Sequence, residues 1–192
     1  MTPSLIAAPA IEPIALADAK AWLRVDANDD DALIQALIVS ARMTLEAFTR
    51  RFFVTQTWRL AFDAWPTRPG APNLIALPFA PFQSVAAMRT FDTAGAAQTV
   101  PPASYRAPPA TNAARIVFAS APPAPGRETD GVEIDIAVGY GATATDTPEP
   151  LRRAMLLLVA QWHENRGDAP ASGALPGPAA ALAAPYRRGR LL

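Results

Sequence analysis

The sequence contains no cysteine, one histidine and one lysine. Without cysteine there is no disulfide framework, no thiolate nucleophile and no Cys-based metal site. The lone histidine, His163, means that any histidine cluster or Ser–His–Asp arrangement would have to run through one position. Charge imbalance is missing as well: 17 basic and 17 acidic residues cancel, leaving little long-range attraction toward nucleic acid or an anionic membrane. The longest apolar run within residues 147–167, from Ala154 to Ala160, falls far short of the roughly 20 residues that span a bilayer. The opening segment, MTPSLIAAPAIEP, has neither a basic n-region nor a long apolar h-region, so no secretory signal is expected and the chain reads as a soluble protein made inside the cell. Gly139-Tyr140-Gly141 lacks the further glycine and lysine of a phosphate loop and reads as a strand end.

What is present is a chain of 192 residues, long enough to bury a real core as one domain or as one domain with an insertion. The clearest element is TPEPLRRAMLLLVAQWHENRG, residues 147–167. Thr147 is placed to cap its first turn, Pro148 and Pro150 sit where no N–H partner is needed, and Gly167 permits a left-handed stop. At 100° per residue Leu151, Ala154, Met155, Leu158, Val159 and Trp162 share one arc. Leu156 and Leu157 fall outside it, among polar neighbours. Residues 31–51, DALIQALIVSARMTLEAFTRR, form a second long helix with Leu33, Ile34, Leu37, Ile38, Ala41, Leu45, Phe48 and Phe52 on its broad core face. Arg42, Glu46 and Arg50 are spaced for pairing on the opposite side, where Val39 and Met43 are again bulky residues out of place. Two helices with the same anomaly point to subunit contacts made by Val39, Met43, Leu156 and Leu157.

Between these helices the period changes to two. TWRLAFD at 57–63 and VEIDIAVGY at 132–140 alternate as half-buried strands, with shorter strands at 74–77, 84–91 and 115–119 and a hairpin turn at 92–96. Strands this short, broken by Pro and Gly, predict an antiparallel sheet or small barrel rather than a parallel one. The expected class is α+β: a small helical bundle of N- and C-terminal helices with an antiparallel β-rich insertion. The divisions are residues 1–53 (an extended arm over 1–13, then helices), 54–141 (the insertion), 142–167 (the long helix that completes the bundle) and 168–192 (a linker over 168–177, a short helix starting at Pro178, and a basic tail). Tyr186, Arg187, Arg188, Arg190, Leu191 and Leu192 give that tail the means to dock on a partner.

Chemistry finds little support. His163 has Val159 and Gly167 at its i±4 positions and no neighbour that would make it a base. Glu133 and Asp135 share a strand face and read as solvated rather than as a catalytic pair. The acidic run DANDDD at 26–31 lacks the glycine and terminal glutamate of a calcium loop and reads as helix capping. No catalytic residue, cofactor site or metal site is expected. The arginine pairs 50–51, 152–153 and 187–188 allow weak, non-specific contact with DNA, without any reader motif.

The ordered series LADAKAWLRVDANDDDALIQALIVSARMTLEAFTRR, QTWRLAFDAWP, LPFAPFQSV, SYR, GVEIDIAVGYG, TPEPLRRAMLLLVAQWHENRG and LAAPYRRGRLL resembles the head–tail connector (adaptor) proteins of long-tailed bacteriophages, related prophages and gene transfer agents. The resemblance runs from about Leu16 to the end of the chain. It implies a virion structural protein, not an enzyme, made in the bacterial cytoplasm and located at the head–tail junction of a phage-like particle. Such proteins form a homo-oligomeric ring, commonly twelvefold, beneath the portal protein; the ring extends the DNA channel and meets a stopper or other neck component. The C-terminal segment would dock on the portal. A stopper or tail terminator is the alternative within the same class, and a small nucleic-acid-binding protein the alternative outside it.

Overall fold

The computed structural model describes residues 1–112, 114–165 and 175–189. In chain order the elements are β1 (Thr2–Ala7), α1 (Leu16–Leu23), α2 (Asp31–Thr49), β2 (Gln56–Phe62), β3 (Thr67–Arg68), β4 (Ala71–Ala76), β5 (Phe82–Phe91), β6 (Ala97–Thr99), β7 (Tyr105–Arg106), β8 (Arg115–Phe118), β9 (Val132–Val138), α3 (Glu149–Glu164) and α4 (Gly177–Ala183). The chain is mixed α+β with two antiparallel sheets, as its periodicities predict. It divides into two compact units. One comprises Met1–Pro9 and Thr55–Tyr140, the other Ala10–Val54 and Gly141–Leu192.

In the β unit a five-stranded sheet runs in the order β1-β2-β9-β5-β6 and a four-stranded sheet in the order β3-β4-β8-β7. β9 is the central strand of the larger sheet, paired to β2 on one side and β5 on the other. Its Val132, Ile134, Ile136 and Val138 are buried, with Leu60 of β2 and Met88 of β5. The turn from β5 to β6 closes as expected at Asp92. Its Oδ1 accepts from the backbone N–H of Ala94 and of Ala96, both at 2.9 Å, and Gly95 takes φ +82°, a left-handed conformation that needs no Cβ. The extended arm expected over residues 1–13 includes a strand, β1 (Thr2–Ala7), paired to the outer edge of β2. Extended backbone with no period of its own has unpaired N–H and C=O groups, and a sheet edge satisfies them. All six residues of β1 remain exposed.

In the helical unit α3 packs against α1, α2 and α4. Leu151, Ala154, Met155, Leu158 and Val159 are fully buried, the arc given by their spacing, and Trp162 is half-buried. Three expectations change here. The first concerns Thr147, which does not cap: Pro148 holds the N-cap position without a side-chain bond, while the buried Thr147 hydroxyl donates to the Phe53 carbonyl at 3.3 Å. The turn before it is held by Thr143, whose backbone N–H donates to Asp146 Oδ2 at 2.8 Å. α3 ends at Glu164, and the stop expected at Gly167 lies outside the described residues, as does the linker up to residue 174.

The second change concerns α2. Its buried residues are Ile34, Ile38, Ala41, Arg42, Leu45 and Thr49, so the core stripe is turned away from Leu33 and toward Arg42 and Thr49. Leu33 is exposed, and Leu37, Phe48 and Phe52 are half-buried. Arg42 can enter the core because Glu12 and Glu46 neutralise it, at 2.7 and 3.0 Å. Thr49 does so by donating to the Leu45 carbonyl at 2.7 Å. α2 is long and apolar enough to cross a membrane by length and composition alone, but these residues make it a core helix of its unit.

The third change concerns the aspartate run. Asp30, at the N-cap of α2, makes no side-chain cap; Asp31 pairs with Lys20 at 2.6 Å, and Asp30 Oδ2 lies 3.3 Å from His163 Nε2. These carboxylates tie α2 to α1 and α3 rather than to the first turn of α2. In α1 only Ala19 is buried; Trp22 is exposed, with the Arg153 guanidinium 5.3 Å from its ring centroid. α4 begins with Pro178 in its first turn and buries Ala179 and Ala183.

Candidate assembly surfaces

The groups that chemistry would have to use are occupied structurally. His163 has a neighbour after all, Asp30, brought to it by the packing of α3 beside α2 from 133 positions away in sequence. The pair is a link between elements. Among the described residues there is no group of three His, Asp or Glu side chains placed to hold a metal ion.

Glu133 and Asp135 are not a solvated face. Arg59 on β2 donates Nε to Asp135 Oδ1 at 2.7 Å and Nη2 to Oδ2 at 2.9 Å, and Arg89 on β5 donates Nη1 to Oδ2 at 2.9 Å. Glu133 joins through Arg59 at 3.4 Å and Arg89 at 3.7 Å. Register explains the cluster, because Arg59 lies opposite Asp135 and Arg89 opposite Glu133 on the two strands flanking β9. Burial alone would raise the Asp135 carboxyl, but the hydrogen bonds from Arg59 and Arg89, with their charges, hold it below the usual carboxylate range. A carboxylate held ionised between two guanidiniums staples three strands and is a poor general acid.

The proposed subunit contacts divide by exposure. Met43 is 60 % exposed, whereas Val39, Leu156 and Leu157 are half-buried. α3, which carries Leu156 and Leu157, packs against α1, α2 and α4, and both leucines are partly covered. On α2 no such cover exists for Met43. Between Asp31 and Arg50 the only charged residues of α2 are Arg42 and Glu46, and they pair with each other. The exposed residues of this 19-residue helix, Ala32, Leu33, Gln35, Ala36, Ser40, Met43 and Ala47, therefore carry no charge, and Leu33, Ala36, Ser40, Met43 and Ala47 among them fall on one stripe. The helical wheel of residues 31–51 hides this face because Arg42 and Glu46, drawn as surface residues, turn inward.

Of the C-terminal docking candidates, Tyr186, Arg187 and Arg188 are described, while Arg190, Leu191 and Leu192 lie outside the described residues. Residues 184–189 lie along the end of α2. The Tyr186 carbonyl accepts from Arg51 Nε, the Arg188 backbone N–H donates to the Thr49 carbonyl at 3.0 Å, and the Arg187 guanidinium sits 5.2 Å from the Phe48 ring centroid. Arg50, Arg187, Arg188 and Gly189 line an open, positively charged depression of about 410 Å³. Burial, then the charges of Arg51 and Arg50, lower the Arg188 pKa from its usual value. Arginines at a helix C-terminus also suit its dipole, so part of this cluster stabilises α2 itself.

Residues 13–86 match the family model described as phage gp6-like head–tail connector protein. No curated protein matches the chain. Among solved structures, one chain from the neck of an empty gene transfer agent particle, computed with C6 symmetry, is 31% identical with a TM-score of 0.83, covering 100% of this chain and 98% of that one. A chain from the virion of a native gene transfer agent particle is 30% identical with a TM-score of 0.83, and one from the neck of a native particle computed with C12 symmetry is 30% identical with a TM-score of 0.76; both cover 100% of this chain and 98% of theirs.

Proposed function

The chain belongs to the phage gp6-like head–tail connector family, and from that premise we propose that it is the adaptor of a phage or gene transfer agent, forming a ring beneath the portal. It is a structural component that joins capsid to tail and sits at the head–tail junction of the particle. The observation that carries this reading is likeness over the whole chain, both units included, to proteins of particle necks. Rotational symmetry in those necks supports a ring of identical copies, and the C12 neck supports twelve. The uncharged, exposed face of α2 fits a protein that meets copies of itself.

In this reading the ring extends the DNA channel and hands it to the next neck or tail protein. A formal net charge of zero suits a channel wall that DNA must slide past, since contacts with phosphate then stay weak and non-specific. Met43 and Val39 on α2 and Leu156 and Leu157 on α3 are the subunit-contact residues. Tyr186, Arg187 and Arg188, with Arg190, Leu191 and Leu192 beyond them, dock on the portal, where guanidiniums can pair with acidic side chains.

Electron microscopy of the protein mixed with its portal tests the proposal, because an adaptor can remain monomeric until it meets that template. A ring seated on the portal's tail-facing end is expected. A protein that ignores the portal and binds another neck protein instead would be a stopper or tail terminator.

A further inference from the structure

We infer that in the ring the exposed face of α2 is covered by the N-terminal segment, residues 1–11, of the next copy. The inference rests on the ring reading above and adds which two surfaces meet. Leu33, Ala36, Ser40, Met43 and Ala47 follow one another at intervals of three, four, three and four residues, the spacing of a helix seam that packs against another element. The seam is about 21 Å long at 1.5 Å per residue. Its exposure and lack of charge make it unsuited to water in an assembled particle.

Symmetry restricts what can cover it. A closed ring of more than two copies is built from head-to-tail contacts, in which two different patches meet; a patch that met itself would stop at a dimer. The seam on α2 therefore needs a second, dissimilar patch on the same chain. Among the described residues the large exposed apolar side chains are Met1, Leu5, Ile6, Ile11, Trp22, Leu33, Met43 and Val117. Two of these belong to the seam, Trp22 is stacked against Arg153, and Val117 stands alone on β8. The other four lie within the first 11 residues. That segment is held by the backbone pairing of β1 to β2 while every side chain of β1 stays exposed, so its faces are free to receive a neighbour. Six extended residues span about 20 Å, the length of the seam. Each copy would offer its seam to one neighbour and its arm to the other.

The cysteine-free sequence allows a direct test. Met43→Cys, carrying a benzophenone maleimide, is co-assembled with isotopically heavy chain into particles, and the photo-crosslinked neck is digested with trypsin. A light–heavy crosslink from position 43 into the peptide ending at Lys20 is the expected result. Crosslinks to another part of the neighbouring copy, to a different protein or to lipid would overturn the inference. Leu5→Glu and Met43→Glu provide a second measurement that does not depend on the label. Both sites are exposed, so each variant should melt as the parent does, yet enter particles about tenfold less well, since each buries an unpaired charge at the contact. Incorporation at the parent level overturns the inference. Absence of the unmodified chain from the neck would instead remove the connector reading on which it rests.

Discussion

Arg42 Nε donates to Glu12 Oε2 at 2.7 Å, joining the middle of α2 to a residue 30 positions earlier. Its Nη1 donates to Glu46 Oε2 at 3.0 Å, and Glu46 Oε1 in turn accepts from the Phe53 backbone N–H at 2.7 Å. One guanidinium thus fixes the segment entering the helical unit, the rotation of α2 and the backbone just beyond α2. Neither carboxylate is exposed to full solvent, with side chains at 21% and 10% of their free accessibility.

Arg42→Ala should therefore lower stability by about 3 kcal/mol, because it strands two partly buried carboxylates without their cation. Urea denaturation of the isolated chain measures this. A loss below 1 kcal/mol, the usual worth of a surface pair, would show that the cluster relaxes into water.

Asp135 sets a pH dependence. Its carboxyl is held below its ordinary value in the folded chain, so the stability it contributes is fully present above about pH 4 and is lost as pH falls through the lower folded value. Glu46 acts with the opposite sign: burial raises its carboxyl despite Arg42, so its contribution recovers as pH falls. The Tm of the parent should drop more steeply between pH 4 and pH 2 than that of Asp135→Asn. At neutral pH Asp135→Asn should cost about 2 kcal/mol, from charge-assisted hydrogen bonds weakened on Arg59 and Arg89.

Leu156→Ser and Leu157→Ser separate assembly from folding. A half-buried leucine contributes about 1 kcal/mol to the stability of its own chain, so each variant should stay folded by circular dichroism. Recovery in the neck should fall by more than that loss explains. Unfolding of either variant would assign the pair to the core of the single chain.

Deleting residues 184–192 removes the bonds from Arg51 to Tyr186 and from Arg188 to Thr49. Thr49 and Arg51 are buried, and the two hydrogen bonds together contribute about 2 kcal/mol, so the shortened chain should fold with a lower Tm. It should fail to co-sediment with the portal. Unchanged portal binding would place the docking surface elsewhere.

Local periodicity made the helices and strands of this protein legible. The arc from Leu151 to Val159, the hairpin at Asp92 and the alternation along β9 follow from 3.6- and 2-residue repeats and from turn chemistry, which depend only on near neighbours. The ordered motifs also carried the family, and with it the role. What the repeats could not give was the orientation of charged residues whose partners are distant in sequence. Arg42 looks like a surface residue until Glu12 arrives, Asp135 looks solvated until Arg59 and Arg89 flank it, and Met1–Pro9 reads as an extended arm without a partner named until β2 offers an edge. Burying a charge is unfavourable in isolation and acceptable only when the fold brings its counter-charge, so the inward or outward choice belongs to tertiary structure. That choice turned α2 so that its uncharged face, rather than its ion pair, looks outward.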